Sequence, residues 1–328
     1  MENPLAKLVP QFFGDYPRQF LDLYNQVYVP PDLNKNEIKD NLWRAFEFGS
    51  RYHEGQKRKS GEPYFNHCIE VASTLATWNM DYTTIMAGLL HDVVEDTNIT
   101  LEDIENEFNK DLANLVDGLT KISGIEFGTR KEKQAGNFMK MLLSVAKDIR
   151  VIIIKFADRM HNMKTITHMP KIKQRRIAIE TRDVYSPLAH RLGMASVKSK
   201  LDDLAFQVLN KNEYDLIASK LKTTNRQRKR LINSYIEPIS EGLERYKMDC
   251  NIFGRSKSFY SIYGKMLNRN KAFEDIYDLY AIRIIVDKVE SCYSALGVVH
   301  SIFTPVQERF KDFIATPKTN GYQSIHTT

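Results

Sequence analysis

Few of the features that mark secreted or membrane proteins occur in this chain of 328 residues. It has only three cysteines, Cys68, Cys250 and Cys292, scattered and without C-x-x-C spacing, so neither a disulfide framework nor a zinc knuckle is indicated and reduced thiols are expected. No N-terminal stretch combines a basic start, an apolar run and a small-residue cleavage site. The longest purely apolar runs, such as Val151-Ile152-Ile153-Ile154, are far too short to span a bilayer. The sequence therefore reads as cytoplasmic, with no membrane partner. Internal repeats and low-complexity segments are missing too. The charge excess is modest, +6, although basic residues gather at Gln56-Lys57-Arg58-Lys59 and at Arg226-Gln227-Arg228-Lys229-Arg230. The second cluster lies in a polar helical stretch and is read as a solvated face or linker, without a site.

What is present is ordinary apolar content in a chain long enough for two domains. From Asn36 to about Leu221 apolar residues recur at three and four positions, as in Tyr64, Cys68, Val71, Leu75 and Trp78, and strand-like alternation is nearly absent. Pro63 marks one helix start, and Thr100-Leu101-Glu102-Asp103 has the form of a capping box. The expectation is an all-α domain over 1–205 and a helical linker over 206–250. A smaller α+β domain over 251–328 follows. There Phe253-Gly254 opens a new unit, a helix covers Tyr260 to Met266, and Asp278 to Val286 reads as a buried strand. A helix near Cys292 to Phe303, a basic loop from Arg309 to Gly321 and the beginning of a strand at Tyr322 to Thr328 complete it. A unit of roughly 80 residues with so few strands is small for a covered sheet, so the α+β domain is expected to be incomplete.

One constellation carries chemistry. His91-Asp92 closes the apolar helix Ile85-Met-Ala-Gly-Leu-Leu90, with Glu95 and Asp96 within the next turn. Adjacent helical residues point about 100° apart, so the pair can serve one ion only across a helix end, facing ligands from elsewhere. His67, on the helix that starts at Pro63, and Asp158, ending the apolar run from Val151 to Ala157, are the candidates; Asn162 shares a face with Asp158. A lone histidine on an amphipathic helix is more often a core or surface residue, and His53, His161, His168 and His190 are placed in that class. The ordered set of His67, His91-Asp92 and Asp158 is the pattern that defines the HD superfamily of metal-dependent phosphohydrolases. Two imidazoles and two carboxylates can hold one divalent ion and leave positions for water and a phosphate oxygen, with manganese, iron and zinc all open. Glu95 and Asp96 are placed to orient or deprotonate the attacking water.

Longer segments resemble one branch of that superfamily. Arg58-Lys-Ser-Gly-Glu-Pro-Tyr64, His91-Asp-Val-Val-Glu-Asp-Thr97, Val116-Asp-Gly-Leu-Thr-Lys121, Phe156-Ala-Asp-Arg-Met-His-Asn-Met163 and Pro187-Leu-Ala-His-Arg-Leu-Gly193 look like the hydrolase domain of the Rel/SpoT proteins. Those enzymes make and degrade guanosine tetra- and pentaphosphate in the stringent response. The resemblance implies that His67, His91, Asp92 and Asp158 bind manganese and that Glu95 and Asp96 serve the water. It implies further that Arg58, Lys59 and Ser60 form part of the nucleotide pocket and that Asn162 contacts sugar or base. The implied reaction removes pyrophosphate from the 3′ position of (p)ppGpp, giving GDP or GTP.

The remainder resembles the same family's synthetase domain, a nucleotidyltransferase-like α+β fold, through Gly254-Arg-Ser-Lys257, Ser261, Lys265, Tyr277-Asp278-Leu, Arg283, Arg309-Phe-Lys-Asp312 and Lys318-Thr-Asn-Gly-Tyr-Gln-Ser324. By that resemblance Arg255, Lys257, Lys265, Arg309, Lys311 and Lys318 hold phosphates of ATP and GDP or GTP. Asp278 binds magnesium, Tyr322 stacks on guanine, and Ser261 and Asn320 belong to the same nucleotide site. The family's second catalytic acid follows the His-Thr segment, beyond Thr328, so pyrophosphoryl transfer is expected to be weak or absent. The alternative is a fragment of an enzyme that both makes and degrades (p)ppGpp. Ribosome contact would need regulatory C-terminal domains that long members carry and this sequence does not include.

Overall fold

A computed structural model describes residues 16–123, 147–221, 225–269, 272–273, 276, 279–317 and 323–328. The chain divides into two compact units, Met1–Leu209 and Asn210–Thr328. No described helix is long and apolar enough to cross a membrane.

The described part of the first unit is helical, with one isolated bridge, Lys57 to Pro63, as its only β pairing. Helix Tyr82–Leu90 is the central rod: Thr84 to Leu90 are all buried, so this short apolar helix packs on every side. Helices Lys35–Tyr52, Phe65–Thr77, Lys110–Ser123 and Ile149–Lys164 surround it. They bury Leu42, Leu75, Leu119, Ile152 and Phe156. Local start signals act as expected. The Thr100 hydroxyl accepts from the Asp103 amide and the Asp103 carboxylate accepts from the Thr100 amide, the reciprocal bonds of a capping box.

Gly88 lies where the rod meets helix Phe65–Thr77. A Cβ there would lie 2.6 Å from Leu75 Cδ1 and 3.4 Å from Ala72 Cα, with both neighbours fully buried. Gly88→Val is therefore expected to lower stability by about 1–3 kcal/mol through overpacking, read as a shift in denaturant midpoint. An unchanged midpoint would show that the two helices part without cost.

In the second unit come helices Lys211–Leu221 and Asn225–Arg245, and Ile239 and Leu243 of the latter join Ala295 and Val298 of helix Val289–Ile302 in a small core. Strand Asn251–Ser256 pairs antiparallel with Tyr280–Ile285, Phe253 opposite Arg283. Lys311–Asp312 pairs with Ile325–His326. The run expected to be a buried strand is, over Tyr280–Ile285, alternately half-buried and exposed. Only one face, through Ile282 and Ile284, meets the small core.

Candidate metal centre

Three stretches distant in sequence bring their polar side chains to one place. His67 sits in the first turn of Phe65–Thr77; His91 is the C-cap of Tyr82–Leu90 and Asp92 the N-cap of Val93–Asp96. The break between those two helices is what lets consecutive residues face the same point. Asp158 does not end its helix, as its place after an apolar run suggested. Helix Ile149–Lys164 continues for another six residues, because Met160 and Met163 keep its apolar face buried beyond the aspartate.

His67 Nε2 lies 3.6 Å from Asp92 Oδ2 and 3.3 Å from Asp158 Oδ1, while His91 Nε2 lies 3.0 Å from Asp92 Oδ2 and 3.9 Å from Asp158 Oδ1. Both rings are buried. The tautomer of His91 follows from its surroundings. Its Nδ1 donates to the Gly88 carbonyl at 2.9 Å, and a carbonyl can only accept, so Nε2 is the nitrogen that carries the lone pair whenever the ring is neutral. That Nε2 is fully buried and has no hydrogen-bond partner, the 3.0 Å approach of Asp92 lacking the alignment of one. An orphaned buried nitrogen facing carboxylates fits a divalent cation, and His67, His91 and Asp158 place ligand atoms within 4.8 Å of one another. A second set, Cys68, His91 and Asp92, meets the same limit.

The electrostatics run the same way. Burial pushes the His67 imidazole below its usual range, toward the neutral form a ligand requires. For His91 burial acts downward also, but the Asp92 carboxylate outweighs it and holds the ring well above the usual range, so an ion would compete with that proton. Burial alone would raise the Asp158 carboxyl, yet the Lys155 ammonium, 3.5 Å from Oδ2, and the two imidazoles keep it well below the usual range. The carboxylates are thus ionised and ready to ligate.

Around these four lie the groups expected to handle water and nucleotide. Glu95 and Asp96 are exposed on the single turn Val93–Asp96. The Tyr64 hydroxyl donates to Asp92 Oδ2 at 2.7 Å, and burial, Asp92 and then Asp96 all keep that phenol protonated. Arg58 is brought in by a tight reversal in which its amide donates to the Glu62 carbonyl and Gly61, at φ +89°, donates back to the Arg58 carbonyl. That left-handed turn suits glycine alone. Arg58 Nη2 donates to Asn162 Oδ1, and Nη1 to Thr165 Oγ1 at 3.3 Å and to His161 Nδ1 at 3.1 Å. The Asn162 amide donates to Asp158 Oδ1. Lys59 is exposed on the same turn and the Ser60 hydroxyl donates to Glu62 Oε2 at 3.4 Å.

His161 was not singled out by its sequence context, yet its Nδ1 lies 2.7 Å from His67 Nδ1. Burial, then His67 and Arg58, push its pKa down to about 3, so it is neutral. The available signal was its spacing: His161 and Asn162 follow Asp158 by three and four residues, on one helix face. His53 is a buried core ring stacked on Tyr64 at 5.0 Å, and His168 and His190 are exposed. Tyr64, read only as part of an apolar stripe and a motif, and Lys155 are further neighbours of the centre that residue patterning had not assigned a role.

In the second unit Arg255 is exposed on strand Asn251–Ser256, and the Lys257 amide donates to the Leu279 carbonyl at 2.9 Å. Ser261 and Lys265 lie on helix Phe259–Arg269, where the Ser258 hydroxyl donates to Ser261 Oγ at 2.7 Å and accepts from the Ser261 amide. Arg309 ends a short 3-10 turn and Lys311 is exposed on the strand that follows. Asp278, Lys318, Asn320 and Tyr322 lie outside the described residues.

Comparison with known proteins finds relatives along most of the chain. Residues 45–195 match the HD domain, and residues 254–328 match the region found in RelA / SpoT proteins. The bifunctional (p)ppGpp synthase/hydrolase SpoT of Escherichia coli K12 is 45% identical over 303 residues, 92% of this chain and 42% of that protein. The GTP pyrophosphokinase of Myxococcus xanthus is 43% identical over 319 residues, 96% of this chain and 41% of that one. The guanosine-3′,5′-bis(diphosphate) 3′-pyrophosphohydrolase of Vibrio cholerae is 46% identical over 276 residues, 84% of this chain and 39% of its own. The chain thus spans about two fifths of the length of these relatives. With an HD domain followed by the RelA / SpoT region, and such identity along nearly its whole length, the chain belongs to the Rel/SpoT family.

Proposed function

We propose that this chain hydrolyses guanosine 3′,5′-bis(diphosphate), and its pentaphosphate counterpart, to GDP or GTP and pyrophosphate. A manganese ion would be held by His67, His91, Asp92 and Asp158. The single observation that carries this reading is the orphaned, fully buried His91 Nε2, set among His67 and two ionised carboxylates. Relatives named for that hydrolysis are similar over most of this chain.

The bound ion supplies acidity to water and polarises the phosphoryl group. The rest is done by side chains. Glu95 and Asp96, next to the donor set and open to solvent, orient the water and accept its proton. Arg58 and Lys59 hold the diphosphate groups, the guanidinium offering paired donors, while Ser60 and Asn162 contribute neutral hydrogen bonds. Tyr64 donates to Asp92 and so holds one carboxylate oxygen in place.

The test is release of pyrophosphate from ppGpp by the purified chain with manganese, after chelation, and after manganese is restored. Hydrolysis that disappears and returns is expected. Equal release from unrelated nucleotides would replace the substrate assignment with a general nucleotidase.

A second reading concerns residues 254–328. Because relatives named GTP pyrophosphokinase align along the chain, Arg255, Lys257, Ser261, Lys265, Asp278, Arg309, Lys311, Lys318, Asn320 and Tyr322 are proposed to bind ATP and a guanosine nucleotide with magnesium. AMP formation from ATP and GDP measures whether that unit transfers pyrophosphate.

A further inference from the structure

His67 approaches the centre through Nε2, and its other ring nitrogen meets His161. The two Nδ1 atoms are 2.7 Å apart, so one proton must lie between them, since facing lone pairs would repel. Which ring owns it is settled by Arg58. Its Nη1 donates to the same His161 Nδ1 at 3.1 Å, which makes that nitrogen an acceptor and assigns the proton to His67 Nδ1. The Nε2 of His67 is then a bare lone pair facing Asp158 at 3.3 Å. A second arm leaves the same guanidinium: Nη2 donates to Asn162 Oδ1, and the Asn162 amide donates to Asp158 Oδ1. One cation thus stands a single side chain away from an imidazole and from a carboxylate of the donor set.

We infer that His161 is a positioning residue, which fixes the tautomer of His67 and, with Asn162, makes Arg58 the group through which nucleotide and ion strengthen each other's binding. The inference rests on the hydrolase reading for the ion and for the role of Arg58. Its sign follows from competition. A diphosphate that engages Arg58 takes a donor away from His161, whose lone pair then belongs wholly to His67 Nδ1–H. A stronger bond there raises the basicity of the opposite nitrogen, as acceptors behind a metal-bound imidazole do. The same contact neutralises a cation facing the ion's site. Both changes tighten the ion, and by reciprocity the ion tightens the nucleotide by the same factor.

Mn²⁺ affinity, titrated on the full chain by the loss of free-ion electron paramagnetic resonance signal, is the readout, with and without GDP. His161→Phe keeps a ring against His67, where the centroids are 4.8 Å apart, but removes the acceptor. It is expected to weaken Mn²⁺ by about 10–100-fold. His161→Asn offers an amide oxygen to His67 Nδ1–H and is expected to remain within about threefold of the parent, taking a tenfold change as 1.4 kcal/mol. GDP should tighten Mn²⁺ in the parent by about fivefold or more, and by distinctly less in His161→Phe. Thermal melts of both variants establish that the helices are intact, and a His161→Phe chain that does not fold leaves the Asn variant and the GDP ratio of the parent to decide. Parent-like Mn²⁺ affinity in folded His161→Phe, loss of affinity in folded His161→Asn, or a parent ratio near one overturns the inference alone. A parent chain that binds no Mn²⁺ overturns it together with the hydrolase reading.

Discussion

Replacing His91 by alanine, or Asp92 by asparagine, is expected to lower ppGpp hydrolysis by at least about a thousandfold. Polarisation of the phosphoryl group and acidification of water are together worth several kcal/mol, and about 1.4 kcal/mol corresponds to tenfold in rate. Neither residue has a substitute nearby. The His91 ring is fully buried with its Nδ1 committed to the Gly88 carbonyl, so no rotation offers another nitrogen. Asp92 is the donor shared between the rings, with Oδ2 3.0 Å from His91 and 3.6 Å from His67, and it also receives the Tyr64 hydroxyl. Asp92→Asn keeps the shape and that hydrogen bond but removes the charge, so its loss of activity separates ligation from folding. The measurements are pyrophosphate release at saturating manganese and the Mn²⁺ dissociation constant, beside a thermal melt. A folded variant of either kind that retains activity within tenfold of the parent would remove these residues from the donor set.

How much of this is legible in the sequence depends on range. The capping box at Thr100 and Asp103 is a contact within one turn, and the sequence spacing alone defines it. The alignment of Asn162 with Asp158 is local too, one helical turn apart. The four candidate donors stand out together because an ordered pattern of His67, His91-Asp92 and Asp158 carries information that no single residue does, and their side chains do meet in one place. His161 was not readable in the same way. Its partners are 94 and 103 positions away, and only the packing of helix Phe65–Thr77 on helix Ile149–Lys164 turns its Nδ1 toward His67 and Arg58. The helix that carries Asp158 outlasts the apolar run before it, because Met160 and Met163 resume burial beyond charged Arg159. Tyr280–Ile285 reads as a strand from its residues, but whether its two faces are covered is decided by distant elements; Ala281, Arg283 and Ile285 are exposed here.

Glu95→Gln and Asp96→Asn should produce the opposite signature to the ligand variants. The rate constant at saturating ppGpp is expected to fall by about 100-fold to 10,000-fold for whichever of the two takes the proton, while Mn²⁺ affinity changes little. Both carboxylates are exposed, on the turn that follows directly from Asp92, and neither belongs to the clusters of ligand atoms at His67, His91, Asp92 and Asp158. Their position nonetheless ties them to the site. Asp96 acts on the Tyr64 phenol that donates to Asp92, and Glu95 acts with Asp158 and Asp92 to raise the pKa of buried Lys155 against the effect of burial. Removing an exposed carboxylate without changing its shape leaves the ion's donors intact and takes away only the acceptor for water. The split between rate and ion affinity therefore separates two roles that activity alone would merge. If Mn²⁺ affinity fell in step with the rate, Glu95 or Asp96 would have to be counted among the ligands. If both variants kept the parent rate, the proton of the attacking water would have to leave by another group.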